Sequence, residues 1–102
     1  MNIINADVLD VFARRHADAR TALRNWEITA KAATWSDLTE VRKTYSTADG
    51  VELKSKAIVT VFNIRGNKYR LLTNIMYPAA QIDVLEVLTH AEYDKDAWKR
   101  RY

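Results

Sequence analysis

Residues Val61–Arg70 read VFNIRGNKYR, and Leu88–Asp94 read LTHAEYD. The reading of these two strings decides the fold. Ile58–Ile64 is rich in β-branched and aromatic residues and predicts a strand. Arg65-Gly66-Asn67 predicts a tight hairpin turn, because Gly and Asn tolerate positive φ. Lys68–Tyr77 predicts the returning strand. Alternation puts Lys68, Arg70, Leu72 and Asn74 on one of its faces and Tyr69, Leu71, Thr73 and Ile75 on the other. Pro78–Gln81 reads as a turn and Ile82–Leu88 as a third strand. Thr89 is placed to cap a helix running from His90 to about Lys99.

Upstream of the meander the hydrophobic period is helical. Met1–Ile4 is short and apolar and predicts an edge strand. Asn5 is the expected N-cap of a helix to about His16, with Val8, Leu9, Val11 and Phe12 as its apolar stripe. A second helix is expected from about Asp18 to Ala33, since Leu23, Trp26, Ala30 and Ala33 recur at three- and four-residue spacing. Ser36 begins Ser-Asp-Leu-Thr-Glu, a capping pattern for a short helical turn ending near Tyr45. A strand, two helices, a three-stranded meander and a helix make an α+β domain, with helices on one face of a mostly antiparallel sheet. Trp26, Trp35 and Trp98 are expected in the core.

The 102 residues suffice for a single domain with one modest core, so residues 1–102 are read as one unit. No apolar run approaches the roughly 20 residues of a membrane span, and no basic-then-apolar leader opens the chain. The absence of cysteine excludes disulfides and thiolate metal sites and fits a reducing cytoplasm. The net charge of +3 is mild. Residues 1–50 carry seven Lys/Arg and seven Asp/Glu, whereas residues 51–102 carry nine and six, so the whole excess lies in the half with the two motifs.

Arg70, His90 and Tyr93 are the residues suited to chemistry. RNA carries its own nucleophile, the 2′-hydroxyl, so cleavage without a metal needs only proton transfer and a cation for the charge building on phosphorus. Arg70 can hold two phosphate oxygens at once. An imidazole such as that of His90 exchanges protons near neutral pH. Tyr93, one turn along the same helix, can move a proton or stack on a base. Lys54, Lys56, Arg65, Asn67 and Lys68 can hold flanking phosphates or base edges. Structural readings stand beside these: a solvated strand arginine, a surface histidine at a helix start, a core tyrosine with a wet hydroxyl. A metal site is not expected, because His90 and Asp94 at four-residue spacing supply two ligands and a catalytic zinc usually has three. With only Gly50 and Gly66 there is no glycine-rich phosphate loop, and no cofactor is expected.

The chain resembles the HigB-type toxins of bacterial toxin–antitoxin systems, a branch of the RelE superfamily of RNA-cleaving toxins. The resemblance rests on Phe62–Leu71 (F-N-I-x-G-N-x-Y-R-L), on Thr89–Asp94 (T-H-x-x-Y-D), and on the strand length between them. Trp35 with nearby Asp37 and the helical first half match in pattern. The resemblance implies a RelE-like fold and a cytoplasmic, ribosome-dependent endoribonuclease, an mRNA interferase that cuts translated mRNA by metal-free 2′-OH attack and so inhibits translation. It implies a HigA-type helix-turn-helix antitoxin as partner, and no membrane. Arg70 corresponds to the strand arginine facing the scissile phosphate, and His90 and Tyr93 fall in the C-terminal catalytic region. Lys54 and Lys56 are candidates for a lysine pair that relatives carry on an earlier strand. The assignment of base and acid stays open. So does a non-catalytic RNA-binding or antitoxin-binding domain on the same fold, or a purely structural interaction domain.

Overall fold

The computed structural model describes residues 1–102. Five strands form one sheet in the order β1-β5-β4-β3-β2, where β1 is Asn2–Ile4, β2 Asp49–Glu52, β3 Ile58–Ile64, β4 Tyr69–Met76 and β5 Gln81–Thr89. β1 lies parallel to β5 at one edge, as the apolar N-terminus predicts, and the other pairs are antiparallel. The helices are α1 (Asp7–Arg15), α2 (Arg20–Ala32), α3 (Leu38–Thr44) and α4 (His90–Asp94). The fold is α+β, as expected. No helix is long and apolar enough to cross a membrane.

The sheet separates two cores. On one face Leu9 of α1, Leu23, Trp26 and Ala30 of α2 and Val41 of α3 meet Phe62, Ile64, Tyr69, Leu71, Ile82, Val84 and Val87 from the sheet. Phe62 is fully enclosed by aromatic rings, with centroids of Trp26 and Tyr45 at 5.3 Å and Trp35 at 6.1 Å. On the opposite face Leu53, Val59, Val61, Leu72 and Leu88 are covered by Trp98, Tyr93 and Tyr102 of the C-terminal segment. All three tryptophans are buried. The Met1 ammonium donates to the carbonyls of Ala30, Lys31 and Ala33, at 3.2, 2.8 and 3.0 Å. It thereby places a positive charge at the carbonyl end of α2, where cations are favoured.

Several local expectations change. β2 is an additional strand: Asp49-Gly50-Val51-Glu52 offers little apolar pattern and exists through its pairing with β3. Asn5 is not a side-chain cap. Its φ is +62° and its amide donates to Asp83 at 2.7 Å, while Ala6 precedes α1 without capping it. The second helix opens as a 3₁₀ turn over Ala17–Ala19 before α2 proper. Asp37, not Ser36, caps α3, accepting from the Glu40 amide at 2.9 Å. In the β3–β4 turn Arg65 and Gly66 take positive φ, and Asn67 does not. The C-terminal helix stops at Asp94, and Asp96 (φ +61°) redirects the chain into a 3₁₀ turn over Ala97–Arg100. That break brings Trp98 back onto the sheet.

Truncating Phe62 would leave an aromatic-lined void that rings on three sides cannot collapse to fill. Phe62→Ala is expected to lower unfolding free energy by about 3–5 kcal/mol. Urea denaturation should show the midpoint falling with an unchanged slope, and a loss under 1 kcal/mol would contradict this packing.

Candidate active site

Arg70 sits on β4, in register between Asn63 of β3 and Leu88 of β5, and points to the face covered by the C-terminal segment. Only 8% of the residue is exposed. Its Nη1 donates to the carbonyls of Asn67 at 3.0 Å and Tyr69 at 3.2 Å. Its Nη2 donates to Asn67 Oδ1 at 2.5 Å and faces His90 Nδ1 at 3.1 Å. The Tyr93 ring lies 5.5 Å from the guanidinium carbon and stacks in turn on Trp98 (centroids 5.3 Å, planes 16° apart). Every one of these acceptors is neutral, and no carboxylate lies within ion-pair distance of Arg70. A cation withdrawn from water in this way keeps a strong demand for an anion.

His90 owes its place to a helix cap. The Thr89 hydroxyl accepts from the Glu92 amide at 3.2 Å, and the Glu92 carboxylate accepts from the Thr89 amide at 2.9 Å. This capping box starts α4 at His90, and the same backbone bond holds the Glu92 carboxyl below the usual range. The His90 amide donates to the Lys68 carbonyl at 3.0 Å, so the helix start is tied to the β3–β4 turn. Its Nε2 lies 3.0 Å from Asp94 Oδ2. A guanidinium can only donate, so Nδ1 must be the accepting nitrogen in the neutral ring, which leaves the proton on Nε2 for Asp94. Burial pushes the Tyr93 phenol up, Asp49 on β2 adds to that, and Arg70 opposes it. Tyr93 therefore remains protonated at neutral pH.

The structure brings Arg70, His90, Tyr93 and Asn67 together, but Asn67 serves as the holder of Arg70. Arg65 and Lys68 lie apart from this group. Arg65 Nη1 meets Asp18 Oδ2 at 2.6 Å, Lys68 binds the same oxygen, and the Tyr69 hydroxyl donates to Oδ1 at 2.5 Å. Asp18 belongs to the turn before α2, so Lys68 leaves the face that alternation assigns to it. It precedes β4, where strand geometry no longer dictates direction. Lys54 and Lys56 occupy the Leu53–Ala57 loop between β2 and β3, with Lys56 4.0 Å from Glu52. Asp94 and Asp49 are the additions. The four-residue spacing of His90 and Asp94 was visible in the sequence as a pair of polar groups on one helix face, whereas Asp49 depends on the unforeseen strand. The bonds from Lys68, then Tyr69, draw the Asp18 carboxyl down from 3.8 to about 2.

A family model described as HigB toxin, RelE-like toxic component of a toxin–antitoxin system, matches residues 19–96. That span takes in both motifs and runs from the start of α2 through α4, leaving out β1, α1 and the C-terminal 3₁₀ turn. The chain belongs to the HigB toxin family, and its architecture is that of a RelE-like toxin. No individual curated protein matches it.

Asp18 also carries a pH dependence. Its folded carboxyl ionises more readily than the unfolded one, so its contribution is complete above the unfolded value of 3.8 and disappears as pH falls toward about 2. Acid-titrated urea midpoints at low salt should show wild type and Asp18→Asn converging across that window. A gap independent of pH would remove this role.

Proposed function

We propose that this toxin is a metal-free endoribonuclease that cuts mRNA on the translating ribosome. The observation that carries the reading is the buried Arg70 guanidinium, held only by neutral acceptors and in contact with the imidazole of His90. A phosphate is the anion for which a planar, forked donor is best suited. When the scissile phosphate engages Nη2, Arg70 relinquishes His90 Nδ1, whose lone pair is then available to the 2′-hydroxyl. Asp94 holds Nε2 and keeps the ring in that tautomer.

The 2′-oxygen bonds to phosphorus while its proton passes to Nδ1. The bond from phosphorus to the 5′-oxygen breaks, and the Tyr93 hydroxyl, protonated at neutral pH, supplies the leaving oxygen with a proton. The products are a 2′,3′-cyclic phosphate and a 5′-hydroxyl, and the proton on His90 returns to Tyr93 through solvent. Arg70 balances the charge on the phosphorane. The mild charge of +3 gives little grip on free RNA, whereas a ribosome presents the message already oriented. Lys54 and Lys56, on the loop beside this face, are assigned to flanking phosphates. The antitoxin partner that a toxin–antitoxin toxin requires is assigned to the HigA-type helix-turn-helix class, and the pair is placed in the cytoplasm, where messages are translated.

Single-turnover cleavage on programmed ribosomes tests the scheme. Arg70→Ala should lose on the order of 10²–10³ in rate, by analogy with loss of one oxyanion donor. His90→Gln and Tyr93→Phe should each slow cleavage, and their combined loss should be less than multiplicative if they act together. Equal cutting of naked RNA and ribosome-bound message would refute ribosome dependence. Wild-type rates in both single variants would return His90 and Tyr93 to structural roles.

Expression of the chain alone should arrest growth, and co-expression with a cognate HigA-type antitoxin should restore it through a stable complex. Normal growth with abundant folded toxin and no antitoxin present would count against the activity itself.

A further inference from the structure

The turn between β3 and β4 is contacted from two sides, and Lys68 and Tyr69 serve both, with side-chain atoms on one side and main-chain carbonyls on the other. On the helical side Asp18 takes the side chains of Arg65 and Lys68 on Oδ2 and the hydroxyl of the following Tyr69 on Oδ1. Arg65 also reaches the Asp18 carbonyl at 3.5 Å. On the opposite side the turn supplies the acceptors that fix the candidate catalytic groups. Asn67 offers its carbonyl and side chain to Arg70, and Lys68 offers its carbonyl to the amide of His90. Arg65 holds φ at +53°, a left-handed conformation that costs a non-glycine residue about 1 kcal/mol or more and persists where surroundings over-determine it. Nothing within 4 Å surrounds a Cβ built on Gly66, so packing at that position does not hold the turn.

We propose that Asp18 is a positioning residue for RNA cleavage: by gathering Arg65, Lys68 and Tyr69 it sets the turn conformation in which Asn67 and the Lys68 carbonyl hold Arg70 against His90. The inference rests on the activity proposed above. It also reassigns Arg65 and Lys68 from RNA contacts to the clamp. Asp18 itself is joined to Tyr69, whose ring packs edge-on against Phe12 at 5.3 Å and His16 at 5.5 Å. The clamp is thereby anchored in α1 and the helical core, on the far side of the sheet from the chemistry.

Three variants of the full-length protein separate this role from mere stability. Asp18→Asn removes the charge and keeps the shape, Asp18→Glu keeps the charge, and Tyr69→Phe removes one of the three bonds without touching the carboxylate. Glu27→Gln, which breaks the ion pair with Lys31 on α2, is the control for loss of a surface charge. Each is compared with wild type by NMR of the Arg70 Nε–H and the His90 ring nitrogens, and by single-turnover cleavage on ribosomes at saturating and limiting toxin.

Asp18→Asn should shift the Arg70 and His90 resonances and lower the maximal cleavage rate about tenfold to a hundredfold, the scale of loss from a small misplacement of reacting groups, with half-saturation little changed. Asp18→Glu should restore much of both, Tyr69→Phe should move both in the same direction by less, and Glu27→Gln should move neither. A folded Asp18→Asn protein with wild-type Arg70 and His90 resonances would overturn the proposal. So would a loss confined to half-saturation, which would return Arg65 and Lys68 to RNA binding. If wild type itself fails to cleave, the cleavage reading falls while the NMR comparison still decides whether Asp18 positions the pair.

Discussion

A guanidinium withdrawn from water and given only neutral acceptors is the constraint around which this protein is arranged. Leaving such a charge without hydrogen bonds would cost several kcal/mol, and the chain satisfies it with two carbonyls, one amide oxygen and one imidazole nitrogen. Each acceptor comes from an element whose position is secured elsewhere. The turn carbonyl and amide depend on the β3–β4 hairpin, and the imidazole depends on the capped start of α4. Tyr93 and Trp98 complete the enclosure by covering the guanidinium and the sheet beneath it. None of these acceptors is a carboxylate, so the charge of Arg70 is hydrogen-bonded and not neutralised within the fold.

The division of labour between the two faces of the sheet follows from that constraint. The helical face is apolar and aromatic, with Phe62 closed in by Trp26, Trp35 and Tyr45, and it holds the larger of the two cores. The other face has a smaller core, closed by a C-terminal segment that is tied down at several points. Trp98 Nε1 donates to the Tyr93 carbonyl at 3.2 Å. Arg101 pairs with Glu86 at 2.6 Å, and the Tyr102 hydroxyl binds the same carboxylate. Burial and that bond push the Tyr102 phenol up to about 12. With the larger core on one side, the other side accommodates the buried Arg70 and the polar groups around it.

Much of this was legible in the sequence. The meander from Ile58 to Leu88, the edge strand at Met1–Ile4, the stripe of Leu23, Trp26 and Ala30, and the cap at Thr89 all follow from periodicity and side-chain chemistry local to each segment. The grouping of Arg70, His90 and Tyr93 was legible too. It needs only that the arginine lie on one strand and that the next strand end in a helix beginning at His90, and both are local features. The misreadings share a different cause. Asp49–Glu52 becomes a strand because β3 offers it an edge, and its own residues scarcely favour that state. Asn5 resembles a cap until Asp83, 78 residues away, takes its amide. Lys68 alternates correctly with Arg70, yet it precedes β4 and turns toward Asp18.

The sequence by itself therefore determined the class of the fold, the meander and its flanking helices, and the grouping of Arg70, His90 and Tyr93, because hydrophobic period and capping act over a few residues. Only the tertiary structure decided what those side chains touch. It matched Arg70 with neutral partners, made Asn67 a support, joined Asp94 to His90, and placed Asp18 behind the turn. The reason is physical. A polar head on a long, flexible stem takes the best partner within reach. That partner is set by chain segments that meet in space, a distance that no pattern along the sequence records.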